Sequence, residues 1–116
     1  MRFLSFVLLF MFFIAIESVK LSAFDQASVE RLRRSNTCAG CDLYRANLNG
    51  ADLNNANLKG ANLAYATFRK ATLFKADLTD ADLRGTVFEG AQWVDGTICQ
   101  TGSVGKCIST STPVEN

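Results

Sequence analysis

From Cys41 to Ile98 the chain keeps a single beat of apolar and polar positions, five residues long. A bulky apolar side chain stands at Leu43, Leu48, Leu53, Leu58, Leu63, Phe68, Leu73, Leu78, Leu83, Phe88, Trp93 and Ile98. Two places before each stands a small residue, almost always Ala, with Cys41, Thr86 and Gly96 filling the other slots. A helix would need a period of about 3.6 and a flat strand one of about 2, so neither explains a strict five. Residues two apart on an extended segment point the same way, which puts each Ala beside its Leu on one inner surface. The next inward pair begins three residues later, so the chain has to turn in between. A turn of the same sense every five residues predicts a square coil, with four pentads closing a circuit of about twenty residues.

Ahead of the repeat, Phe24–Asn36 predicts a short helix. Phe24-Asp25 offers an entry and a cap, Val29 and Leu32 share one face, and Glu30, Arg31, Arg33 and Arg34 lie mostly on the others. Such a helix is too short to stand alone in water and needs the end of the coil to lie on. The three arginines read as a solvated face. Further back, Arg2 followed by the apolar run Phe3–Ile16 and closed by Glu17 and Lys20 has the layout of a secretory signal peptide. The run is shorter than the roughly 20 residues that span a bilayer. Cleavage is expected between Ser18 and Ala23, with the bond after Ala23 favoured. An uncleaved membrane anchor is the rival reading. The resulting division is 1–23 signal peptide, 24–37 cap helix, 38–100 repeat coil, and 101–116 C-terminal cap and frayed tail.

The pentads closely resemble the pentapeptide repeat family, whose motif is A-(D/N)-L-x-x. The lead Cys38-Ala39-Gly40-Cys41-Asp42-Leu43 and the exit Trp93–Cys99…Cys107 also look like small exported bacterial members. The resemblance implies an all-β fold: a right-handed quadrilateral β-helix of about three coils with a short N-terminal capping helix. It also implies inner columns of residues twenty apart. These are Leu43, Leu63 and Leu83; Leu48, Phe68 and Phe88; Leu53, Leu73 and Trp93; and Leu58, Leu78 and Ile98. Val87, Gln92, Trp93 and Gly96 depart from the motif and put the end of regular coiling near Gly90. Trp93 is expected to plug that end, under the Asp95-Gly96 turn and the tail.

Composition then removes whole classes of chemistry. The chain has no His, which excludes Ser-His-Asp and Cys-His catalysis and the commonest metal ligand. Asp42, Asp52, Asp77 and Asp82 share a repeat slot with Asn47, Asn57 and Asn62, so that slot asks for a turn acceptor and not for a titrating acid. Removing Arg2 and Lys20 from 12 basic residues, and Glu17 from 11 acidic ones, leaves ten of each. A balanced mature chain has no bulk field for nucleic acid and none that imitates it.

Four cysteines remain, Cys38, Cys41, Cys99 and Cys107, and an even count in an exported chain favours disulfides. Pairing Cys38 with Cys41 and Cys99 with Cys107 gives the shortest loops and one staple at each end of the repeat. A redox-active CxxC, a zinc site and free buried thiols are the alternatives. The CxxC lacks the helix N-terminus that lowers a thiol pKa elsewhere, and the two cysteine pairs fall at opposite ends of the coil.

Recognition is therefore expected on the outward slots. Arg69 falls over Glu89 and Lys75 over Asp95, as surface ion pairs. Phe74 and Val94 face out one above the other, and Tyr44 and Tyr65 share another face; these four form a candidate partner patch. The leading expectation is a non-enzymatic structural or protein-interaction module of the cell envelope, periplasmic or extracellular. It carries no catalytic residue, cofactor, metal or nucleic-acid ligand, and no stable membrane span once the leader is cleaved. The alternatives are a DNA-mimicking gyrase-binding protein, as some cytoplasmic family members are, and a CxxC thiol redox protein.

Overall fold

The computed structural model describes residues 25–109. The expected leader and cleavage site, and the tail from residue 110, lie outside the described residues. Helix α1 spans Gln26–Ser35, with Asp25 as N-cap accepting the Ala27 N–H at 3.1 Å. The helix is thus shorter than the segment its pattern suggested. Asn36 stops it in the left-handed conformation, φ 57°, with its N–H bonded back to the Leu32 carbonyl. The Asn36 amide then donates to the Asn54 carbonyl at 2.7 Å, tying the helix exit to the coil. Val29 and Leu32 are buried, and Arg31, Arg33 and Arg34 are exposed.

Beyond α1 the chain forms a β-helix solenoid built of single parallel bridges instead of long strands. The bridges join Thr37 to Asn57, Asp42 to Asn62, Asn47 to Thr67, and so on to Thr72 with Gln92, always twenty apart. Five residues per side and twenty per circuit make four sides. Each corner is a turn in which the first residue of one pentad donates to the central apolar residue of the pentad before, as Ala46 N–H does to the Leu43 carbonyl at 3.0 Å. From Arg45 to Gly90 the fifth slot is left-handed: Arg45, Asn55, Tyr65, Lys70, Lys75 and Asp80 have φ near +60°, and Gly fills the slot at 50, 60, 85 and 90. A turn with its third residue at positive φ matches the type II pattern.

Inside, Leu43, Leu58, Leu63, Phe68, Leu73 and Phe88 are fully buried, with Ala46, Ala61, Ala66 and Ala91 equally buried beside them. Phe68 and Phe88 stack with ring centroids 5.3 Å apart, as their shared column requires. Trp93 is half-buried and meets Phe88 edge-on at 4.9 Å. Thr86, in an Ala slot, buries its hydroxyl by donating to the Leu63 carbonyl at 2.8 Å.

Ile98 corrects the sequence reading. It is 56 % exposed and belongs to no inner column. After Gln92 the left-handed residue arrives one position late, at Gly96 (φ 89°). The longer turn is closed by Trp93 N–H to the Thr97 carbonyl at 2.7 Å and sends the chain back antiparallel. Gln92 then pairs with Ile98, Val87 with Val104, and Cys99 with Ser109. The returning segment accepts from Phe88 N–H through Ser103 and from Gly90 N–H through Cys99. It thereby satisfies backbone donors that a further coil would otherwise have to meet.

Candidate interaction face

The Asp/Asn slot behaves as turn chemistry on every side of the coil. Side-chain oxygens of Asp42, Asn47, Asp52, Asn57, Asn62, Asp77 and Asp82 accept the N–H two residues on, and Asp95, outside the slot at the last turn, does the same, all at 3.0–3.2 Å. The same oxygens bond between coils, Asn62 to Asp42 at 3.3 Å and Thr72 to Asp52 at 3.2 Å. Hydrogen bonds from Thr79, Arg84 and Thr97 hold the carboxyls of Asp77, Asp82 and Asp95 below the usual aspartate range. These are anchored anions and poor proton carriers. Among the described residues no cluster of His, Cys, Asp or Glu could hold a metal ion, and no helix is long and apolar enough to cross a membrane.

The sulfurs of Cys38 and Cys41 lie 2.06 Å apart, and those of Cys99 and Cys107 2.02 Å apart. One pair sits at the joint between α1 and the coil. The other ties the return hairpin, where Gln100 N–H bonds the Ile108 carbonyl.

The four aromatic and aliphatic patch residues fall on two sides. On one, Phe74 is 38 % exposed and Val94 is half-buried, packed partly on the core. The Phe74 ring lies over Gly96, where a Cβ would stand 3.4 Å from it, so one face of the ring is already occupied. Lys75 Nζ sits 5.3 Å from the Phe74 ring centre. The expected Lys75–Asp95 pair is replaced by this contact, because Asp95 is taken up by the Thr97 N–H and hydroxyl. Arg69 and Glu89 do meet, at 3.7 Å, an exposed pair worth ~0–1 kcal/mol.

The other side is assembled by the twenty-residue register. Tyr44, Ala64 and Arg84 share one outward slot, and Arg45, Tyr65 and Gly85 the next. Tyr65 is 56 % exposed and meets Tyr44 edge-on, centroids 5.8 Å apart. Arg45 places its guanidinium 5.3 Å from the Tyr44 ring centre. Ala64, although it faces outward, is buried. Tyr65 takes φ 59°, a conformation uncommon for a bulky side chain. Gly85 makes room for it: a Cβ there would collide with the Tyr65 ring. Arg84 grips Asp82 through Nη2 at 2.7 Å and Nε at 3.0 Å, which fixes its planar head at the border of the patch. Sequence reasoning found the two tyrosines and missed Arg45, Arg84 and Gly85. Counting in twenties from Tyr65 would have found Arg45 and Gly85, and from Tyr44 it would have found Arg84.

No curated protein matches the chain. A solved structure, that of HetL, a pentapeptide repeat protein involved in heterocyst differentiation regulation from the cyanobacterium Nostoc sp. strain PCC 7120, is 34 % identical over 53 % of this chain, with a TM-score of 0.25. The match spans 36 % of that protein, about a third of its length. Eight copies of the family described as pentapeptide repeats match at residues 41–80 and 51–90, so the part of the chain that forms the coil carries the pentapeptide repeat.

Proposed function

We propose that this chain is a small exported, non-enzymatic interaction module of the cell envelope that meets a protein partner through its Tyr44–Tyr65 side. The observation that carries the reading is Tyr65: an exposed ring seated over Gly85, braced edge-on by Tyr44 and bordered by Arg45 and Arg84. Tyr and Arg are the residues that dominate binding energy at protein interfaces, and a ring already fixed on a rigid scaffold loses little freedom on docking. The leader pattern supports export, and the chain's balanced charge with mixed signs on each side speaks against a DNA mimic.

The test compares Tyr65→Ala and Phe74→Asp in the full chain, using an affinity-tagged protein against envelope extract. Tyr65→Ala is expected to weaken partner retention by roughly 30-fold, the loss of a typical hot spot of about 2 kcal/mol, while Phe74→Asp retains the partner. Undiminished retention by a folded Tyr65→Ala protein would remove this face from consideration. Intact-mass measurement of protein from its native host tests export directly, through the position of the mature N-terminus.

A further inference from the structure

We propose that Cys38–Cys41 is a reversible dithiol–disulfide couple, with Cys41 as the sulfur that exchanges with an external dithiol. Both residues stand in ordinary repeat slots, Cys38 where Leu recurs and Cys41 where Ala recurs. The corner between them is already closed by Cys41 N–H to the Cys38 carbonyl at 3.1 Å, as at the other corners. The bridge spans a sequence separation of only 3, against 8 for Cys99–Cys107. The constraint a disulfide places on the unfolded chain grows with loop length, so the first bridge adds the less to stability.

The surroundings provide for both sulfurs after reduction. Arg31 Nη1 lies 3.8 Å from Cys41 Sγ, a cation placed for a thiolate. Cys38 Sγ lies 3.3 Å from the Ser28 carbonyl oxygen, an acceptor for a thiol S–H. Asp25, the carboxylate at the start of the same helix, is committed to the Ser28 hydroxyl and the Ala27 N–H. Cys38 is 1 % exposed and Cys41 6 %; Cys41, the less buried and the one beside Arg31, is assigned the exchange.

In the forward direction a thiolate of the external dithiol attacks Cys41 Sγ. The Cys38–Cys41 bond breaks, and its electron pair leaves on Cys38, which takes a proton. The second thiolate of the reagent then attacks its own partner sulfur in the mixed disulfide and expels Cys41 as a thiolate beside Arg31. Two electrons pass from dithiol to protein, the reagent becomes a cyclic disulfide, and its protons end on Cys38 and in solvent.

The test equilibrates the full chain with mixtures of reduced and oxidised dithiothreitol, followed by alkylation and mapping of each cysteine pair by mass. Cys38–Cys41 is expected to open at a reduced-to-oxidised ratio at least about tenfold lower than Cys99–Cys107, with circular dichroism unchanged. Arg31→Gln is expected to shift that equilibrium several-fold toward the disulfide and Arg31→Lys to restore it, a pattern that mere packing of the side chain does not produce. Opening of both pairs together with loss of the fold overturns the proposal. An equilibrium that Arg31→Gln leaves unmoved overturns it as well. Either outcome leaves the Tyr65 test untouched.

Discussion

At Asp77, Asp82 and Asp95 a carboxylate accepts from the same residue two positions on, through both its N–H and its side chain. Asn can accept the N–H bond as well as Asp can, which is why both occupy the repeat slot that holds Asp77 and Asp82. Only the carboxylate carries a pH dependence. The three folded carboxyls titrate below their unfolded value, so their contribution is complete above about pH 4 and is lost as pH falls through the depressed folded values. Replacing all three by Asn is expected to leave thermal unfolding at neutral pH little changed. The same variant should lose less of its melting temperature than the parent when both are taken below about pH 4. Thermal melts across that range check it, and equal acid sensitivity of the two proteins counts against this account.

The elements of this chain are corners and columns more than strands. Each corner is made locally by a turn acceptor and a left-handed residue, and each column is filled by stacking at twenty. Phe88 links the coil to its closing turn, because it stacks on Phe68, meets Trp93 edge-on and donates its N–H to Ser103 of the returning segment. Phe88→Ala is expected to cost about 3–5 kcal/mol, the range for emptying a buried aromatic site. The single Trp of the chain reports the event. Its emission should shift to the red in the folded variant and the denaturant midpoint should fall; an unshifted emission would mean that Trp93 is held by the hairpin alone.

As a whole molecule the coil is bonded one level at a time, since each circuit donates to and accepts from the neighbouring circuit, as Leu43 N–H to Asn62 and Asn62 N–H to Cys41. Stability in such a stack is a sum over neighbouring levels, so the middle should open last. Amide hydrogen exchange should be slowest at Leu63, Phe68 and Leu73, which lie in the interior with a level on either side. It should be faster toward α1 and toward the return hairpin. Uniform protection from end to end would show that the caps and the coil unfold as one unit.

Much of the coil was legible because the physical constraint is local and repeated. A five-residue period, a small residue paired with a large one, and an Asp/Asn turn slot together specify corner, inner column and outward slots from sequence alone. The pairing of Phe68 with Phe88 followed from the same register, and so did the meeting of Tyr44 with Tyr65. What only the tertiary structure decided lies where the repeat stops. One left-handed residue shifted from position 95 to Gly96 reverses the chain, turns Ile98 outward and builds the cap from backbone donors left by the last level. The placing of Arg31 against Cys41, and of Lys75 against Phe74 instead of Asp95, was likewise beyond the pattern. Long flexible cations choose among neighbours that only folding brings within reach, and a periodic sequence does not encode that choice.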